Sequence, residues 1–357
     1  MEQINASSTV LSSQRYPVAN AWEAIEFFYE RGWSDGLPIV PPTEERVYVM
    51  LEAAGRAPDD IIAVLPPRGG IATAAKIAIN AVMAGCLPDY LPVVIAAVEA
   101  LADERFGLYG PAMSTAGCSP LLIVNGPICR ELGINSATNV LGHGTRANAT
   151  IGRAIRLILM NIAGAIPGAL EKSTLGHPGK YSFCIAEKED ASPWPPLHVD
   201  LGFPAEASTV TVFAGQAPVQ IENHYGTRTE DILLTIADTM VGLGNANFTG
   251  KGGGVVIICP QHAGTVAGEG WSRAAVKEFL FEKARRPLAD LKRVKKILGD
   301  IQPGDEEEMV TIAKDPNDFL LVVAGGDAGG FSAYIPAWDG YESQPVTTGI
   351  GFCWECA

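Results

Sequence analysis

The chain has 357 residues, 26 of them basic and 40 acidic, for a net charge of −14; 47% are hydrophobic and only 18% charged. At about 150 residues per domain the length suits roughly two domains or one large one, and the composition is that of a chain able to bury a core rather than of a disordered one. The acidic excess excludes nucleic acid as the main ligand, because phosphate binding needs a basic stripe, and it disfavours an anionic membrane surface.

The first twenty residues lack a basic start followed by an apolar run, so no secretory leader is expected. No stretch reaches the ~18 uninterrupted apolar residues of a membrane helix, and the most apolar one, LPVVIAAVEALA, carries Glu99. Seven scattered cysteines are an odd count in a long chain, unlike a secreted disulfide framework. The expected compartment is the cytoplasm. The expected partners are a small-molecule substrate and, in a homo-oligomer or larger complex, other subunits, with neither nucleic acid nor membrane.

In chain order, residues 1–16 are polar and Ser-rich and read as a flexible arm. AWEAIEFFYER (21–31) has apolar residues at helical spacing, and Thr43 with Glu44 and Glu45 opens the next helix. Residues 72–86 and 90–103 are apolar nearly all round and predict two buried helices; a further helix covers about 147–164. The span 17–170 is therefore a helix-rich half. From 171 to 357 the texture changes: YSFCIAE and STVTVFAG read as strands, TEDILLTIADTMVG as a helix and GGGVVIICP as a buried strand. WSRAAVKEFLFEKARRPLADLKRVKKIL gives one or two helices with Ser272 as N-cap, and DFLLVVAGGDAGGFSAYIP gives two strands around a glycine turn. No long-period repeat is visible.

Three segments share one outline: PLLIVNGPICREL, GVVIICPQHAGTV and FLLVVAGGDAGG. Fully apolar strands ending in Pro or Gly turns fit a sheet covered on both faces. The predicted fold class is therefore α/β, a helix-rich N-terminal half and a mixed sheet flanked by helices, sharing one core. Ligands of such sheets bind beyond the carboxyl ends of the strands, which makes the turns at Asn125, His262 and Asp327 candidate walls of one site.

The sharpest motif is the terminal GFCWECA. Cys353 and Cys356 have the spacing of a redox dithiol, of two metal ligands, or of two packed residues. Cys118, in the small-residue turn STAGCSP, is the candidate partner thiol. Cys86, Cys129, Cys184 and Cys259 sit in apolar patterns and read as packing residues. In LGHGTRANATIGR, His143 precedes a helix start, where free N–H groups favour an anion; Arg146 and Asn148 would bind the substrate and His143 would move a proton. In FCIAEKEDASPWPPLH, a strand ends at Glu187 and runs into Trp194 and His198, a carboxylate, an aromatic wall and an imidazole suited to acid–base work or metal binding. Walker-type, Gly-x-Ser-x-Gly and His-Glu-x-x-His patterns are absent.

The segments GWSDGLPIVPPTEERV, KIAINAVMAGCLPDYLPVV, LLIVNGP, LGHGTRANATIGRAIRLILMN and ASPWPPLHV together resemble bacterial proteins associated with the UGSC-motif (seleno)protein family, over about residues 20–340. The resemblance implies an enzyme-like cytosolic protein near thiol or selenol redox chemistry and supplies no substrate. The signature Sec/Cys-Gly-Ser-Cys is missing, since AGCSP has one cysteine; Cys353 and Cys356 keep its spacing with different middle residues.

The leading expectation is an enzyme, an oxidoreductase using Cys353, Cys356 and Cys118 as thiols, with His143 and Glu187 in catalysis and Arg146, Asn148, Trp194 and Asn125 binding substrate. The alternatives are a metal-dependent lyase or hydrolase, with His198 and His262 as ligands joined by Cys353 and Cys356, and a non-catalytic subunit of a complex. The cofactor is unknown, a transition metal being the candidate.

Overall fold

The fold is that of a computed structural model describing residues 11–250 and 252–351, with residues 249 and 250 described in backbone only. Of residues 11–16, expected to belong to the flexible arm, Leu11 is anchored while Ser12, Gln14 and Arg15 are exposed; residues 1–10 of that arm lie outside the described residues. Leu11 is buried in the apolar core and its N–H donates to the Tyr48 hydroxyl (3.2 Å), while Arg15 pairs with Glu44.

The helical half follows from its caps and apolar faces. Asn20 accepts from Glu23 N (3.0 Å) and starts α1 (Ala21–Glu30); Thr43 accepts from Arg46 N (3.4 Å) and starts α2 (Glu44–Ala53). A hairpin of β1 (Ile61–Leu65) and β2 (Gly70–Thr73) leads into α3 (Ala74–Ala84), which ends on Gly85 in the left-handed conformation. Next come the buried α4 (Leu91–Ala102), the short α5 (Tyr109–Met113), β3 (Ser119–Asn125), the single turn α6 (Ile128–Glu131) and α7 (Arg146–Asn161).

The remainder alternates strand and helix: β4 (Cys184–Ala186), α8 (Leu197–Asp200), β5 (Thr209–Gly215), β6 (Val219–Glu222), α9 (Thr229–Met240), α10 (Asn247–Gly250), β7 (Gly254–Ile258) and α11 (Pro260–Gly268). Then follow α12 (Arg273–Lys283), capped by Ser272 as predicted, β8 (Arg285–Pro287), α13 (Leu288–Arg293), β9 (Met309–Thr311), β10 (Phe319–Val323), β11 (Phe331–Pro336) and β12 (Val346–Gly349). The fold is α/β. Among the described residues no helix is long and apolar enough to cross a membrane.

Two four-stranded sheets carry the architecture, in the orders β12-β5-β3-β4 and β10-β7-β11-β6. Side chains alternate between faces along a strand. Leu121 and Ile123 therefore meet Val255, Ile257, Val322 and Ile335 between the sheets, while Leu122 and Val124 turn toward the α3/α4/α7 layer and Val256, Ile258 and Tyr334 toward α9, α11 and α12. The result is four layers, helix–sheet–sheet–helix, with three buried clusters. Each fully buried Leu, Ile or Val contributes about 1.5–3 kcal/mol, and a one-residue slip would exchange the two faces of a strand, so the registers are strongly specified. The change of texture near residue 170 falls inside the first sheet, where β3 precedes it and β4, β5 and β12 follow.

The sheets have the same wiring. In each, an edge strand runs parallel to its neighbour (β4 to β3, β10 to β7), and two antiparallel strands complete the order (β5 and β12; β11 and β6). By chain order the fourth strands are exchanged: β6 follows β5 but joins the second sheet, and β12 follows β11 but joins the first. The crossing point is a Gly215–Ala337 bridge with reciprocal hydrogen bonds, Gln216 N to Pro336 O (2.9 Å) and Trp338 N to Ala214 O (2.8 Å). A repeat invisible in the residues is thus present in the topology.

Candidate functional site

The carboxyl ends of β3, β4, β7 and β10 lie at one end of the sandwich. β4 runs parallel to β3 and β10 to β7, and Lys188 N, just past β4, donates to Val323 O at the end of β10 (2.7 Å). This is where ligands bind in sheets covered on both faces, and two groups of polar side chains converge here.

The first group centres on Cys259. The apolar β7 delivers it to the N-cap of α11, where Pro260 takes the first helical position without needing an N–H partner. His262, three residues on, comes round one turn to face the same strand end. Its Nδ1 lies 2.7 Å from Ser332 Oγ of β11 and its Nε2 lies 2.8 Å from Asn223 O. A carbonyl only accepts, so Nε2 carries a proton and Nδ1 is left to receive one from a neighbouring thiol or hydroxyl. Cys259 N donates to Ser332 Oγ (3.2 Å).

Burial of the Cys259 thiol pushes its pKa up, but hydrogen bonds from the His262 side chain and backbone, the imidazole's charge and the Ser332 hydroxyl outweigh it and hold the thiol below its ordinary range. Burial pulls His262 down, and its bonds to Cys259 and Asn223 outweigh that and hold it above its ordinary value. Both shifts run in the direction that favours passing a proton from the thiol to the imidazole. Both residues are 2% exposed. The glycine turn after β10 closes against them: Gly329 N donates to Gln261 Oε1 (3.0 Å), and a Cβ on Gly330 would stand 3.1 Å from His262 Nε2.

The second group centres on Glu187, at the end of β4 as predicted and fully buried. Its Oε2 accepts from Asn125 Nδ2 (2.6 Å) and Leu197 N (2.7 Å), and its Oε1 lies 3.3 Å from Arg273 Nη2. Burial pushes this carboxyl above its ordinary range despite those bonds. Glu189 accepts from Gly126 N (2.7 Å) and lies 4.0 Å from His198 Nδ1; Arg273 also meets Asp200 (3.2 Å) and stands 5.6 Å over the Trp194 ring. Asn125 Oδ1 and His198 Nδ1 are buried without a hydrogen-bond partner among the described residues. The turn Glu189–Ala191 lies against α11, so the two groups are neighbours.

The structure therefore gathers Asn125, Glu187, Trp194 and His198 from the predicted set and puts His262 beside them with Cys259. Others lie elsewhere. Cys118 precedes β3 at the opposite end of the sandwich, donates to Pro111 O (3.4 Å), and is pushed up to about 11 by burial, the setting of a packed thiol and not of an activated one. Asn148, read as a substrate binder, spends its amide on Asn135 N, Asn135 O and Cys184 O. His143 is exposed in the turn before α7, and Arg146 donates twice to Gly85 O beside a cavity of about 460 Å³. Cys353 and Cys356 lie outside the described residues. Among the described residues no three His, Cys, Asp or Glu side chains gather to hold a metal ion.

The sequence reading singled out neither Ser332, Arg273 nor Glu189, and it read Cys259 as packing; the thiol is indeed buried, and it also lies beside His262 and Ser332. The signal for Cys259 was present: Cys-Pro-x-His at the end of a buried strand places a thiol at a helix N-terminus with an imidazole one turn later. No family model matches the chain, and no curated protein matches it.

Proposed function

We propose that this protein is a thiol-dependent enzyme in which the Cys259 thiolate attacks a small substrate and His262 is its proton partner. The observation that carries this reading is the Cys259–His262–Ser332 arrangement at the N-terminus of α11. His262, protonated on Nε2 against Asn223 O, takes the thiol proton on Nδ1 and returns it to the leaving group; Ser332 holds the imidazole in line. The first N–H groups of α11 meet negative charge that develops on the substrate. A reducing cytoplasmic setting suits this chemistry, since Cys86, Cys118, Cys129, Cys184 and Cys259 are all free thiols.

The redox form of the reaction is the favoured one, because the chain carries a dithiol candidate in Cys353 and Cys356 and resembles proteins of thiol or selenol chemistry. Attack of the thiolate on a substrate disulfide forms a mixed disulfide with Cys259, and the displaced sulfur takes the proton from His262.

The test is the ultraviolet absorbance of the thiolate, followed against pH in the wild type and in Cys259→Ser and His262→Ala, a readout that needs no substrate and no access to the buried sulfur. The expected result is a Cys259-dependent thiolate with a midpoint below the ordinary thiol value of about 8.5, moving upward in His262→Ala. A midpoint at or above that value, unmoved by His262→Ala, would overturn the reading.

A further inference from the structure

The helical layer holds a second feature that the thiol chemistry does not use, a cavity of about 790 Å³ between residues 11–18, α1, α2, α3 and the end of α7. That volume falls within the range of small-molecule sites, roughly 300–1,000 Å³. Its inner wall is apolar, with Phe28, Val47, Ile79, Met83, Met160 and Ile162. Four cationic side chains (Arg15, Arg31, Arg68, Lys76) and one carboxylate (Glu44) also line it, an excess of 4 − 1 = 3 positive charges in a chain whose net charge is −14.

Three of these cations are occupied in different ways. Arg15 pairs with Glu44, Arg31 lies over the rings of Tyr16, Phe27 and Trp33, and Lys76 Nζ donates to Ile71 O (2.8 Å), keeping two further protons to donate. Arg68 has no side-chain hydrogen bond or ion pair among the described residues. It is nonetheless held in place: its N–H donates to Ala163 O (3.2 Å), and its stem runs so close over Gly164 that a Cβ there would stand 2.8 Å from Arg68 Cγ. Gly164 also has φ +81°, which independently favours glycine. Arg68 and Lys76 flank β2, Lys76 folds back onto it, and both line the chamber.

We infer that this cavity binds an amphipathic organic anion, a carboxylate with an aliphatic or aromatic tail. The tail lies along Phe28, Ile79, Met83 and Met160. The carboxylate is held by the Arg68 guanidinium, whose planar fork matches it with two hydrogen bonds, and by Lys76. The apolar wall disfavours a nucleotide, and the excess positive charge among the described lining residues disfavours a neutral lipid or a cation. The site is separate from Cys259, so it stands or falls independently of the thiol reading.

The experiment is calorimetric titration of the full chain with decanoate, with decanol and decyltrimethylammonium as neutral and cationic controls of the same tail, repeated in Arg68→Gln. Arg68 is exposed and makes no side-chain bond among the described residues, so the variant is expected to fold, which its circular dichroism checks. The expected result is one decanoate per chain, no binding of the cation, and a loss of about tenfold or more in decanoate affinity in Arg68→Gln with decanol unchanged. Equal binding of decanoate and decanol, no loss in Arg68→Gln, or no binding of decanoate at all would each overturn the inference.

Discussion

Asn125 and Cys259 occupy the same place in the two halves of the fold. Each is the residue after the last parallel ladder bond of its central strand: Glu187 N donates to Val124 O, one residue before Asn125, and Ala324 N donates to Ile258 O, one residue before Cys259, both at 3.2 Å. The same wiring therefore presents two side chains at one end of the sandwich and equips them differently. Asn125 is enclosed by Glu187 and Glu189, a polar clasp that ties the 187–200 loop to Arg273 of α12. Cys259 receives an imidazole, a hydroxyl and a helix N-terminus. One half supplies the Cys259–His262 pair, and the other supplies the loop that packs against its helix.

Because β6 and β12 are exchanged, neither half can complete its own sheet. A chain cut between Tyr225 and Gly226, where Tyr225 is 91% exposed, should give fragments 1–225 and 226–357 that lack a cooperative transition alone and regain it when mixed. Chemical denaturation followed by circular dichroism decides this. A fragment that unfolds cooperatively by itself would show that the exchanged strand is dispensable.

The sequence was most legible where local chemistry sets structure. Thr43 and Ser272 cap the helices expected of them, and the apolar runs at β3, β5, β7 and β10 are strands buried on both faces. The exchange was not legible, since β6 (VQIE) and β12 (VTTG) are four-residue strands whose position depends on the Gly215–Ala337 crossing. Cys259 read as packing because its partner Ser332 is 73 residues away. Asn148 misled in the opposite direction: a polar residue at a helix start was in fact filling its hydrogen bonds with Asn135 and Cys184.

The Cys259–His262 pair has a defined pH signature. A lowered thiol pKa stabilises the fold above the ordinary thiol value, and that share is lost as pH falls through the lowered one. A raised imidazole pKa stabilises it below the ordinary value of about 6.5, and that share is lost as pH rises through the raised one. The two shifts bring the Cys259 and His262 values toward each other, the direction that favours proton transfer from thiol to imidazole. The thiolate absorbance should show the Cys259 midpoint below about 8.5; Ser332→Ala, which loosens the imidazole, should raise that midpoint while leaving the fold intact. An unchanged midpoint would remove Ser332 from the arrangement.

Glu187 and Arg273 are 0% and 5% exposed at their side chains. Removing one partner leaves the other charge buried, so Arg273→Met should cost about 3–5 kcal/mol, whereas Glu187→Gln with Arg273→Met should cost less than the sum of the two single changes. Urea denaturation of the four proteins measures the coupling. The folded Glu187 holds its proton to higher pH than the unfolded chain does, so its contribution to stability falls as pH rises from the ordinary carboxyl value through the raised one. Glu187→Gln should remove that slope, and a slope that persists in Glu187→Gln would assign it to another group.

Two glycines near His262 should respond oppositely to the same added methyl. Gly330 packs under the imidazole, and a Cβ there meets the Asn223 carbonyl carbon at 2.9 Å and His262 Nε2 at 3.1 Å. The overlap must be relieved by moving Asn223 or the ring, at about 1–3 kcal/mol, and either movement breaks the bond that fixes the Nε2 proton. Gly330→Ala should therefore destabilise the protein and also raise the Cys259 midpoint. Gly264 lies exposed within α11, where a Cβ would find nothing within 4 Å and φ is not positive. Alanine there should stabilise the helix by about 0.5–1 kcal/mol and leave the thiol midpoint where it is. Thermal denaturation and the thiolate absorbance, measured on both variants, separate the two effects; a Gly330→Ala protein that keeps the wild-type midpoint would mean that the glycine turn does not position His262.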